Sequence, residues 1–285
     1  MICGRAARRC LQKGRMMSNK QHDRFSLKCT LSNFRRYIPL LGNLVSRDLI
    51  KRYRRSVLGY IWCVLSPLLV MLIMNFVFSN MFRNNIENFP VYLFVGRMFF
   101  NLITDSTNSM SRSIANNGSL MRKTRIPYYI FPTASFCSSI VTFLFSLIAF
   151  LIVMIFTQTP LSIHVLAFPL ILLETMAFSY GLGLALSQAN TFLRDVNQLY
   201  NVFTVGWMYL TPLFYPLEAL PASAQRLIAT CNPAYIYIQQ ARQIFLYHQW
   251  PSPDLILHGC LFSLAALAVG LYAYFKCRDK LILYV

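Results

Sequence analysis

Residues 56–82 run for 27 positions without one charged side chain. About 20 helical residues suffice to cross the hydrocarbon core of a bilayer. In lipid every backbone N–H and C=O must be satisfied within the structure itself, so such a run folds as a membrane helix. The pattern recurs along the chain. Residues 126–163 hold 38 uncharged positions, enough for one span and a short connection. The spacing predicts six spans, at about 57–82, 89–111, 130–157, 165–189, 197–217 and 255–275. The second is interrupted by Arg97 and Asp105, the fourth contains Glu174, and Pro212 and Pro216 weaken the fifth.

Charge then orients the chain. Twenty-seven Lys and Arg stand against nine Asp and Glu, a net +18. A basic excess of that size suggests nucleic acid in a soluble protein. Here only 13% of residues are charged, against about a quarter in soluble domains. The cations also cluster at span ends, which is the pattern of cytoplasmic retention. Fifteen of them precede the first span. Arg112, Arg122, Lys123 and Arg125 follow the second span, Arg194 follows the fourth, and Lys276, Arg278 and Lys280 follow the sixth. The opposite side holds Arg83, Arg226 and Arg242. Both termini are therefore expected in the cytoplasm, and no nucleic-acid partner is expected.

Five cations fall between Arg47 and Arg55, directly against the first span. Pro39 suits the first turn of a helix. After it, Leu40, Leu41, Leu44, Val45 and Leu49 share one helical face, and Asn43, Arg47, Lys51 and Arg54 share the other. This predicts an amphipathic interface helix over 39–55, lying in the membrane surface. Two readings stand: a plain basic anchor, or an anchor that also docks a partner. Residues 1–30 read as a disordered basic cytoplasmic tail, with Met16 and Met17 as alternative starts.

Two loops carry further signals. In 112–132, Asn116-Asn117-Gly118 marks a turn, and Ser119 is placed to cap a short helix ended by Pro127. It is either a coupling element or a capped connector. Residues 221–250 are too polar to span. They break around Asn232-Pro233 into two pieces, each too short to cross, which predicts a re-entrant helical hairpin outside the cytoplasm.

Catalytic signatures are missing from the sequence. The eight cysteines form no C-x-x-C pair, no two histidines lie at i,i+4, and no phosphate-binding G-x-x-x-x-G-K-[ST] occurs. No metal and no cofactor in this chain are expected, and no enzyme activity. Glu174 is read either as a functional intramembrane acid or as a neutral carboxyl bonded across helices. A proton-coupled secondary transporter would need paired ionisable groups at mid-membrane, and a membrane-embedded lipid-glycan enzyme would need clustered acids or histidines. Both remain as alternatives.

The stretch RDLIKRYRRSVLGYIWCVLSPLL resembles the entrance of the ABC-type polysaccharide and polyol-phosphate export permeases. FPVYLFVGRMFFN, NNGSLMRKTRIPYYIFP, NTFLRDV, YLTPLFYPLEALP and CNP with a downstream arginine, Arg242, follow in the family's order. Arg97 stands where that family usually has an apolar or amide residue, Asp105 is a second departure, and the tail before residue 20 is extra.

The resemblance implies an ABC-2 type transmembrane domain over 31–285. It implies an all-α membrane protein: six spans, the interface helix, and the re-entrant hairpin between spans five and six. It implies a permease subunit that works as a homodimer with two separate ATPase subunits, which bind ATP and Mg. The cargo is then an O-antigen, capsule or teichoic-acid chain on a lipid pyrophosphate carrier, exported across a bacterial inner membrane. Arg47, Lys51, Arg52, Arg54 and Arg55, then Arg122, Lys123 and Arg125, then Arg194 and Asp195, would contact the ATPase. Asn232, Pro233 and Arg242 would form an outer gate. Tyr92, Phe99, Phe100, Trp207, Tyr209, Phe214 and Tyr215 are candidates to line the sugar path, with core or belt positions as the alternative for each.

Overall fold

The computed structural model describes residues 27–53, 58–82, 88–123 and 126–284. Ten α-helices carry these residues, with no strand among them: α1 (Leu27–Tyr53), α2 (Trp62–Phe82), α3 (Phe89–Asn116), α4 (Gly118–Lys123), α5 (Ile130–Phe156), α6 (Phe168–Phe192), α7 (Asp195–Leu210), α8 (Ala222–Cys231), α9 (Pro233–Phe245) and α10 (Pro253–Tyr284). The chain divides into two compact units, 1–43 and 44–285, and α1 contributes residues to both.

Among the described residues, four segments are long and apolar enough to cross a membrane: Gly59–Phe78, Ile130–Phe156, Ile163–Phe192 and Pro253–Cys277. They coincide with expected spans one, three, four and six. Their exposed faces are apolar. On α2, Ile73 and Phe76 are 62% and 80% exposed, as side chains that meet lipid rather than water.

The helix expected as span two behaves differently. α3 carries Arg97, Asn101, Thr104, Asp105, Ser106 and Thr107 in its middle, too polar for an apolar window. It is nonetheless among the most buried helices, with Val91, Val95, Phe99, Ile103, Met110 and Ile114 at 0% exposure. α5, α6, α7 and α9 pack around it. The hydroxyls at its middle bond back within the helix: Ser106 donates to the Leu102 carbonyl at 2.6 Å and Thr107 to the Ile103 carbonyl at 2.7 Å. Such back-bonding lets Ser and Thr sit in an apolar interior at little cost. A Pro in the first turn and Asn88 at φ 51° set its start.

α6 and α10 form the most extensive helix pair. A Cβ at Gly181 would collide with the Ala266 backbone, and one at Gly270 with the Gly181 carbonyl. Small residues here let the two backbones touch, the usual basis of close helix association in membranes.

Several boundaries differ from the sequence reading. α1 begins at Leu27, so Pro39 lies inside the helix rather than in its first turn, and the expected tail overlaps the helix at 27–30. Residues 1–26 and 54–57 lie outside the described residues. α4 begins at Gly118, where the Asn117 carbonyl accepts from the Leu120 and Met121 amides, so Ser119 sits within the helix and does not cap it. α7 stops at Leu210, short of the expected 217, because 211–216 hold Pro212 and Pro216. Its 16 residues measure about 24 Å, less than a ~30 Å hydrocarbon core. The pieces α8 and α9 break at Asn232 as expected; its side chain accepts from the Ala234 and Tyr235 amides and starts α9.

Candidate functional site: a basic cleft and a buried arginine junction

The first site is a polar cleft of about 360 Å³ between α1, α3 and α5. α1 supplies Arg47, Asp48 and Lys51 one turn apart, and α3 supplies Arg112, Ser113, Asn116 and Asn117 from its last turns. The Arg47 guanidinium donates to Asp48 Oδ1 at 3.0 Å and to Asn117 Oδ1 at 3.0 Å. Asn117 is held in turn by donating to the Ser113 carbonyl at 2.7 Å. This chain of bonds ties the basic helix to the turn before α4. Among the described residues the Arg47–Asp48 pair is the one ion pair, so Lys51 and Arg112 carry charge into the cleft without an acidic partner. Three cations against one carboxylate give a cleft that attracts phosphate or carboxylate groups.

The second site is buried. Arg242 on α9 is 1% exposed. It donates to the carbonyls of Pro212 at 3.0 Å and Leu213 at 3.3 Å, and lies 3.4 Å over the Tyr92 ring. Tyr92, on α3, donates its hydroxyl to the Tyr215 carbonyl at 2.9 Å. Asn232 completes the junction. Its oxygen accepts from Trp207 Nε1 at 2.9 Å and its amide donates to Thr211 Oγ1 at 2.9 Å. The non-helical 211–216 segment thus gets backbone partners from two side chains, Arg242 and Tyr92, which is what a break in a helix requires in an apolar setting. Gly96 makes room: a Cβ there would stand 2.9 Å from the Arg242 guanidinium.

Glu174 on α6 is 3% exposed. Gln240 donates to its Oε2 at 3.1 Å and Cys260 to its Oε1 at 3.2 Å. No cation reaches it among the described residues. Those bonds join α6, α9 and α10, the geometry of a cross-helix carboxyl.

The structure gathers some expected residues and separates others. Tyr92, Trp207, Asn232 and Arg242, drawn from two different expected groups, meet in the one junction. Phe99 is fully buried edge-on to Phe143 and Phe168, Phe100 packs on Trp207, and Phe214 stacks on Phe78. Tyr209 is 63% exposed on α7, and Tyr215 donates its hydroxyl to the Tyr209 carbonyl. Pro233 is half-buried at the first position of α9. Arg194 and Asp195 are exposed where α7 begins. That turn is anchored by Asn190, which donates to the Ser111 carbonyl and accepts from the Asn197 amide. The Arg52, Arg122 and Lys123 side chains, and Arg54, Arg55 and Arg125 entirely, lie outside the described residues. Sequence reasoning missed Asn117, Thr211 and Gln240. Each is an ordinary polar residue whose partner lies far away along the chain.

Apolar spans, a basic cleft and an arginine-pinned helix break are the frame of a multi-span helical membrane protein. Residues 39–246 match the family model described as ABC-2 type transporter, and the chain belongs to that family. It is 32% identical over 237 residues to an O-antigen export system permease protein of Myxococcus xanthus, covering 82% of this chain and 89% of that protein. An O-antigen export system permease protein of Klebsiella pneumoniae is 30% identical over 209 residues, 73% of this chain and 80% of the relative. A capsule polysaccharide export inner-membrane protein of Neisseria meningitidis is 24% identical over 194 residues, 66% and 72% of the two chains.

Proposed function

We propose that this chain is the permease subunit of an exporter that carries a lipid-linked glycan out of the cytoplasm, driven by ATP hydrolysed on separate subunits. The basic cleft carries this reading. It places Arg47, Lys51 and Arg112 beside one another with one acid, at the end of the bundle that the charge bias assigns to the cytoplasmic leaflet. A glycan carried on a lipid phosphate presents its anionic group at that depth, and the fork of Arg47 suits it.

In this reading α3, and α7 together with the non-helical 211–216 that follows it, complete a six-span set with the four apolar helices, and α8–α9 form a re-entrant hairpin at the outer side. The domain occupies 31–285. α7 exposes Leu199, Val202, Phe203 and Tyr209. That apolar face suits a second copy of the chain, so that two copies enclose the path. Arg47 and the α4 turn form one connected unit through Asn117. A push on α4 or on the exposed Arg194–Asp195 turn by an ATPase would therefore reach α3, the central helix. ATP and Mg bind the partner subunit.

Three measurements test the reading. The purified chain alone should show no ATP hydrolysis, and hydrolysis should appear with a co-expressed ATPase subunit. Turnover by the chain alone would overturn it. On a cysteine-free background, a cysteine at Ser223 should react with an impermeant reagent in intact cells and one at Ser18 should not; the reverse would overturn the topology. Finally, Arg47→Lys with Arg54→Lys should keep charge and insertion but lower transport-coupled ATP hydrolysis several-fold, because Lys cannot reproduce the directed bonds of a guanidinium. Equal activity and equal recovery of the ATPase subunit would leave these residues as an anchor alone.

A further inference from the structure

A second cavity, about 260 Å³, opens between α2, α3 and α5. Arg97, Asn101 and Asp105 lie along one stripe of α3 at intervals of four and line it, facing Trp62 and Ser66 of α2 and Ser139 of α5. Thr142 and Phe143, which also line it, stand at the middle of the candidate span Ile130–Phe156, so the cavity reaches the depth of mid-span. Charged side chains at such depth mark a ligand or a path, because an ion facing lipid is costly.

The guanidinium of Arg97 is under-used. One nitrogen reaches only the Met208 sulfur, at 3.5 Å, and its Nε–H is buried without an acceptor. The Asn101 carboxamide also makes no hydrogen bond to another described residue. Asp105 sits two turns from Arg97, about 12 Å along the helix. The stripe therefore reads cation, amide, carboxylate. From this we infer that the cavity binds an acidic sugar unit of the exported chain: its carboxylate on Arg97, its hydroxyls shared between Asn101 and Asp105. A carboxylate takes sugar hydroxyls as donors, and a guanidinium takes a carboxylate in a two-bond fork. A lipid headgroup would sit at the interface, away from mid-span. The inference rests on the export reading and adds to it that the glycan of this exporter is anionic.

The full chain in phosphatidylcholine nanodiscs tests this, with Trp62 fluorescence as reporter and Trp62→Phe as blank. The probes are a glucuronate-bearing hyaluronan hexasaccharide and neutral maltohexaose. The acidic probe should bind about tenfold tighter or better. Arg97→Gln, with unchanged helix content and melting temperature, should remove that preference, and Arg97→Lys should keep part of it. Equal affinities in the wild type, an unchanged preference in Arg97→Gln, or binding of neither probe would overturn the inference. So would loss of the preference when phosphatidylglycerol is added, which would assign the cavity to a lipid phosphate. None of these outcomes bears on the export reading, which fails separately if ATP hydrolysis by the assembled complex ignores a lipid-linked glycan.

Discussion

Arg242 and Arg47 present the same side chain in opposite settings. Arg242 is 1% exposed; its two terminal nitrogens donate to backbone carbonyls, its Nε has no acceptor among the described residues, and its face lies over Tyr92. Arg47 has 37% of its side chain exposed and donates to Asp48 and Asn117 at the rim of a cleft. Burial turns the first into a structural pin, because removing it would leave the Leu213 carbonyl without a partner where no water can replace it. Exposure leaves the second available. Its bonds position it, yet solvent or a phosphate can exchange with them at small cost to the fold. An arginine in a membrane helix bundle is thus not automatically a ligand group; its surroundings decide.

The sharpest way to break this comparison is Arg242→Met. It orphans the Leu213 carbonyl, leaves the Pro212 carbonyl only the 3.4 Å bond from Tyr92, and should cost about 3 kcal/mol or more, read as loss of yield and a large fall in the melting temperature of the purified protein. An unchanged melting temperature would place Arg242 among the exchangeable residues. Gly96→Ala comes next. The added methyl crowds the guanidinium and should cost about 1–3 kcal/mol by the same measurement, with Arg242→Met expected to mask much of it. Trp207→Phe removes one bond to Asn232 while keeping most of the ring packing, and about 1 kcal/mol is expected. Arg47→Gln marks the other end. It should move stability by less than about 0.5 kcal/mol while lowering ATP hydrolysis stimulated by lipid-linked glycan several-fold. Large destabilisation by Arg47→Gln would erase the distinction between the two regions.

The sequence alone specified the membrane class and four of its crossing helices, since lipid imposes a condition that each local run of apolar residues must meet by itself. It also specified the break at Asn232-Pro233, because a proline and an amide cap act within one turn. Charge near the first span was equally legible, being a property of composition. Tertiary structure decided the rest. α3 has a polar middle, so a hydropathy average misjudges it, yet it is a central helix because its neighbours rather than lipid cover it. Tyr92 and Trp207 are bonded to 211–216 and to Asn232, across separations of 123 and 25 residues. Arg97 and Arg242 are both single cations in apolar surroundings. Only the packing makes one line a cavity and the other close a backbone break, because which carbonyls and rings a guanidinium meets is set by segments far away along the chain.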